Sequence, residues 1–212
     1  MRVQNAFSGR RVTTMAALSL LAFVSACAES PPPLGQEIED RVVEVAAPPV
    51  LDLQRTLVTN LTAAIAEGGP VNAIGFCSNE VLSLTQGVQA ASAHGLQLKR
   101  TSFRYRNPDN APDEAEELAL LYFEEAAQAG ETVPSSYVQK VSDQEFRYYK
   151  PLFVGEFCLQ CHGEREALSP DVRTLLEEKY PGALAVGYEL GAFRGVVRAS
   201  IPASALAAVS GG

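Results

Sequence analysis

The order of apolar and polar positions divides the chain into a helical first part and a strand-rich second part. Ile38, Val42 and Val45 recur at helical spacing over residues 36–46, and Pro48-Pro49 predicts a break after them. Residues 50–67 repeat the pattern more strongly. Val50, Leu53, Leu57, Leu61, Ala64 and Ile65 share one face, and Gly68-Gly69-Pro70 ends the run. A third helix is expected over 71–87, with Ile74, Cys77, Val81 and Leu84 on its apolar face. Residues 88–94 extend it and Gly95 stops it.

Beyond Gly95 the period changes to two. Leu96, Leu98, Arg100 and Ser102 alternate with Gln97, Lys99, Thr101, Phe103 and Tyr105, which predicts a strand over 96–105. Residues 107–112, Asn-Pro-Asp-Asn-Ala-Pro, are turn-forming throughout. Asp113 is placed to cap a helix running to 129, with Leu118, Leu121 and Tyr122 expected inward. A strand over 146–154 follows, then a short helix over 171–179 stopped by Pro181-Gly182. Residues 183–190 and 193–201 are expected to pair as a hairpin about Gly191-Ala192. Helices first and antiparallel strands later predict an α+β domain.

The first 35 residues stand outside this pattern. Arg2, Arg10 and Arg11 precede an apolar run over 15–24, which is too short for a stable bilayer span and fits the core of a signal peptide. The run closes on Val24-Ser25-Ala26-Cys27, which resembles a lipobox. Residues 1–26 are therefore expected to be a lipoprotein signal peptide and Cys27 the lipidated first residue. Plain secretion is the competing reading, and Arg10-Arg11 only partly resembles a twin-arginine signal. Pro31-Pro32-Pro33 stiffens residues 27–35 into a tether. The expected order is signal peptide 1–26, tether 27–35, one folded domain over 36–205 and a tail over 206–212. Ala28 rather than an aspartate after Cys27 leads us to expect an outer-membrane anchor facing the periplasm.

Charge narrows the partners. The formal net charge is −8, and setting aside the signal segment, which has three arginines and no acid, takes it to −11. Such a chain repels phosphate backbones, which argues against nucleic acid.

The strongest chemical signal is Cys158-Leu159-Gln160-Cys161-His162. Two cysteines with two residues between them reach the two vinyl groups of one haem, and the adjacent histidine swings beneath the ring to ligate iron. One covalent haem c is the expected cofactor. A thioredoxin-like redox pair needs a βαβ setting that is not evident here, and a zinc site needs four ligands. The only methionines are Met1 and Met15, both in the signal segment, which excludes His/Met ligation in the mature chain. His94 and Cys77 remain as candidates for the second axial position. His94 precedes Gly95 at a helix end and reads equally as an exposed turn residue. With Cys158, Cys161 and Cys27 assigned, Cys77 has no disulfide partner, and a lone exported thiol is liable to oxidation unless buried or ligated.

Several stretches in one order carry a resemblance. They are Gly75-Phe76-Cys77, Arg100-Thr101-Ser102, Arg106-Asn107-Pro108-Asp109-Asn110-Ala111-Pro112-Asp113, Cys158-Leu159-Gln160-Cys161-His162-Gly163, Ala185-Val186-Gly187-Tyr188 and Phe193-Arg194-Gly195. Together they resemble the Tll-like c-type haem domain, a PAS-like sensor domain long labelled a domain of unknown function. The resemblance implies a PAS-like sheet, His162 as proximal ligand and Cys77 as distal ligand. Arg100, Arg104 and Arg106 would share a strand face, from which one or two could pair with haem propionates. The reading that follows is a haem-based redox or diatomic-gas sensor module and not an enzyme, acting through an unidentified redox or signalling partner. The alternative is a one-haem electron-transfer cytochrome. A peroxidase-like reading finds no acid–base pair beside the motif.

Overall fold

The computed structural model of the protein describes residues 34–208. The signal segment, Cys27, the tether through Pro33 and the last four residues of the tail lie outside the described residues.

The expected α+β architecture is present: helices first, then a four-stranded antiparallel sheet. Helix α1 (Gln36–Asn79) runs through Pro48 and Pro49, which do not break it. Prolines inside a helix cost about 3 kcal/mol or more each. Here Val42, Val45, Ala46, Val50 and Leu53 are buried on both sides of the pair, so tertiary packing outweighs the local cost. The break falls instead at Gly68 and Gly69, as expected; Gly69 has φ 70° and ψ −168°. Pro70 starts the next helical stretch, where its missing N–H costs nothing. That stretch carries Ala73, Ile74, Phe76 and Cys77. Helix α2 (Val81–Ala91) continues from it.

The sheet order is β1-β4-β3-β2, built from β1 (Gln97–Thr101), β2 (Tyr137–Ser142), β3 (Glu145–Phe153) and β4 (Phe193–Pro202). Strand β1 ends at Thr101, four residues short of the expected end, so Arg104 and Arg106 lie beyond the strand rather than on one face of it with Arg100. Residues 183–190 form no strand; the two neighbours of β4 are β1 and β3. Strand β2 carries no clean alternation and was not foreseen.

The sheet has two apolar faces. On one, Leu98, Phe146, Tyr148, Val197, Ala199 and Ile201 pack against α1. On the other, Tyr149 and Val196 meet Ala119, Leu120 and Phe123 of α3 (Glu114–Gln128). The inward face of α3 differs from the expected one: Leu118 is 57% exposed and Leu121 and Tyr122 are also exposed. A reciprocal cap between Asp113 and Glu116 sets the helix start, and Glu116 itself turns inward to ion pairs. That rotates the buried stripe to Ala119, Leu120 and Phe123. Helices α4 (Leu159–His162) and α5 (Pro170–Lys179) close the domain beside α1, and α6 (Ala203–Ala208) follows β4. Among the described residues, no helix is long and apolar enough to cross a membrane.

Candidate functional site

The Cys158–His162 motif forms one tight turn of helix. Glu156–Cys158 is a 3-10 turn leading directly into α4, so both thiols and the imidazole project from consecutive turns. The backbone N–H of Gly155 points at Cys158 Sγ at 3.3 Å. The thiols Cys77, Cys158 and Cys161 are free and each is half-buried.

Residues 183–190 explain both their own irregularity and the setting of His162. Gly187 N–H donates to the Gly163 carbonyl (2.8 Å), and Tyr188 N–H donates to the His162 carbonyl (3.0 Å). Backbone groups that a hairpin would have used are committed to the motif turn. Gly187 sits at φ 72°, and the Arg104 guanidinium passes 3.1 Å from where a Cβ would stand, so a side chain at this crossing would be strained.

His162 Nδ1 lies 2.8 Å from the Ala185 carbonyl. A protonated Nδ1 donates to that oxygen, which leaves Nε2 as the free lone-pair donor and fixes the ring. Burial, reinforced by the charges of Arg106 and Arg194, holds His162 neutral well below the ordinary histidine range. A neutral imidazole is the form that binds a metal.

Cys77 comes to the same place from α1. Cys161 Sγ is 3.9 Å from the carbonyl of Pro70, where the Cys77 stretch begins. Ile74, one turn before Cys77, packs with Leu168, Val172 and Leu176, and Cys161 and Tyr180 border that cluster. Burial pushes the Cys77 thiol up, and the nearby positive charges of Arg100 and Arg106 act against that shift. His94 is exposed in a left-handed turn, φ 74°, after α2.

Four arginines gather around this turn. Arg104 stacks on Tyr188, its Cζ 3.9 Å from the ring centroid. Arg194 donates to the Arg104 carbonyl at 3.1 Å and to the Tyr188 hydroxyl at 3.4 Å. Arg106 donates to the Cys161 and Ala185 carbonyls at 2.7 and 3.1 Å. Arg100 stands on β1, near enough for its charge to act on the Cys77 thiol. None of the four has a carboxylate within 4.0 Å among the described residues. Burial lowers the pKa of Arg100, Arg106 and Arg194, as expected for cations removed from water without a counter-charge. Arg106 Nε is buried with no hydrogen-bond partner.

The residues present fit a covalently held haem: two thiols on one turn, an oriented neutral imidazole, a thiol on the facing helix, and buried cations lacking anions. Sequence reasoning assigned no role to Arg194, Tyr180 or Tyr188. The signal that could have found two of them was the pair of motifs ending in Tyr188 and containing Arg194.

Comparison with known proteins bears on the fold and the family. No curated protein matches. The crystal structure of the cyanobacterial heme-protein Tll0287 matches with a TM-score of 0.56 at 22% sequence identity, covering 80% of this chain and 98% of that one. A model of the Tll0287-like family matches residues 28–202, from just after Cys27 to the end of β4. With the family match spanning nearly the whole described domain, the chain belongs to the Tll0287-like family.

Proposed function

We propose that this chain is a haem-binding protein carrying one haem c, attached through Cys158 and Cys161, with His162 as proximal and Cys77 as distal iron ligand. The bound haem would supply a one-electron iron couple. The observation that carries the reading is the motif turn itself: His162 Nδ1 is committed to the Ala185 carbonyl at 2.8 Å, so Nε2 is left for iron beside two thiols on the same turn. Membership in the family of a known heme-protein supports it. The proximity of the Cys77 stretch to Cys161, and the exposure of His94 in its turn, favour Cys77 over His94 as the distal ligand.

We read the protein as a redox or diatomic-gas sensor module rather than an enzyme. It is exported, anchored through lipid on Cys27 in the periplasm, and signals through a protein partner. A thiolate ligand favours the ferric state, and its release on reduction would open a binding position. Optical and EPR spectra of both oxidation states test the reading. Ferric wild type should be low-spin with a thiolate signature. Cys77→Ala should lose that signature and become high-spin or bind water, while His94→Ala should match wild type. Carbon monoxide should bind the ferrous wild type. A ferrous protein that excludes carbon monoxide would be an electron-transfer cytochrome with two fixed ligands.

A further inference from the structure

Arg106 does not stand where a propionate contact was expected. Its Nη2 lies 3.2 Å from His162 Nδ1, on the side of the ring remote from the free Nε2. The same nitrogen donates to the Ala185 carbonyl at 3.1 Å, the acceptor that His162 Nδ1 uses at 2.8 Å. It also donates to the Cys161 carbonyl at 2.7 Å. One guanidinium nitrogen therefore joins the motif turn to the 183–188 segment and shares the histidine's only acceptor.

The charge on this group is not cancelled. Beside it is only a narrow crevice, lined by Arg106, Arg165, Arg173, Glu177 and Tyr180 with apolar side chains. Its one acid, Glu177, is 3.6 Å from Arg165. Tyr180 offers Arg106 a ring face 5.8 Å away. A carbonyl already accepting from a cation is a poorer acceptor for Nδ1–H, and a buried positive charge beside the ring disfavours imidazolate character. Both effects make Nε2 a weaker donor, which favours ferrous iron. Thiolate ligation pulls the other way.

We propose that Arg106 is a positioning residue for the proximal ligand, and that its uncompensated charge raises the reduction potential of the iron against the pull of the Cys77 thiolate. This rests on His162 being the proximal ligand.

The test is redox titration of the haem-loaded full chain carrying Arg106→Gln or Arg106→Lys. Arg106→Gln should lower the ferrous-to-ferric ratio at a fixed applied potential about tenfold, or about 59 mV for one electron. Arg106→Lys keeps the charge while changing the clamp, and should stay within about threefold of wild type. Equal shifts in both variants would mean a purely structural clamp and overturn the proposal, as would no shift in Arg106→Gln. If Arg106→Gln fails to fold or load, the wild type and Arg106→Lys decide by resonance Raman on the ferrous protein in a Cys77→Ala background. The iron–histidine stretch should be that of a neutral, weakly hydrogen-bonded imidazole in both, and an imidazolate-like stretch in the wild type would overturn the proposal. A His162→Gly protein whose spectrum matches wild type would instead sink the ligand assignment on which the proposal rests.

Discussion

The two sides of this domain treat buried charge in opposite ways. On the α3 side every buried cation has its anion. Glu116, 0% exposed, holds Lys99 at 2.7 Å and Arg198 at 3.0 Å. Arg147 holds Asp113 at 2.8 Å and Glu145 at 2.7 Å, and Ser200 donates to the same Glu145 oxygen. Arg198 also donates to Ser200. On the Cys158–His162 side, Arg100, Arg104, Arg106 and Arg194 make their hydrogen bonds to carbonyls, a tyrosine hydroxyl or no protein group, and none to a carboxylate. A closed network is complete within the chain and serves the fold. Buried cations with no ion pair of their own are costly, so Arg100, Arg106 and Arg194 contribute less to the fold than the α3 network does.

The comparison breaks most sharply on Cys158 and Cys161, the proposed attachment residues. Cys158→Ala with Cys161→Ala should abolish covalent haem completely, read as loss of one haem mass from the intact protein and loss of haem staining on a denaturing gel. The α3 network should survive it, because none of its members touches the motif turn. Wild-type haem extractable by acid acetone would remove the covalent reading altogether.

The next effect falls on the closed side. Glu116→Gln leaves Lys99 and Arg198 buried without their anion and should cost about 3–5 kcal/mol in urea unfolding. Arg100→Gln in the haem-free protein should cost under about 1 kcal/mol, or stabilise it, because it removes a buried cation with no partner. Equal losses from the two substitutions would show that the arginine cluster is as structurally committed as the α3 network.

The smallest effect is in pH. Burial is the largest single influence and opposes ionisation of Asp113 and Glu145, but hydrogen bonds to Arg147, those from Glu116 N–H and Ser200, and the nearby cations together outweigh it and hold both carboxyls below their ordinary values. A depressed carboxylate pKa contributes stability that is present above the unfolded value of about 4 and is lost as pH falls through the folded value. Arg147→Gln should therefore flatten the decline of the urea midpoint between about pH 5 and about pH 3. Both carboxyls are partly exposed, so solvent screening keeps the effect modest. An undiminished acid slope in the variant would show that Arg147 is not the cause.

Much of the site was legible because it is local in sequence. Cys158, Cys161 and His162 lie within one turn, and their spacing carries its chemistry wherever the turn is placed. The helical faces of Val50–Leu57 and Ile74–Cys77 were equally legible from period alone. Pro48-Pro49 misled because local propensity knows nothing of the packing on either side. Residues 183–190 misled for a similar reason: their alternation suits a strand, but their backbone bonds go to Gly163 and His162, some twenty-five residues earlier in the chain.

The sequence by itself determined the α+β order of elements and the Cys158–His162 motif, because each is written in neighbouring residues. Only the tertiary structure decided which charges are paired. Glu116 reaches Arg198 across 82 positions, and Arg106 reaches Ala185 across 79. Whether an arginine meets a carboxylate or the back of a histidine depends on how distant segments cross, and that is set by the packing of the sheet and helices as a whole.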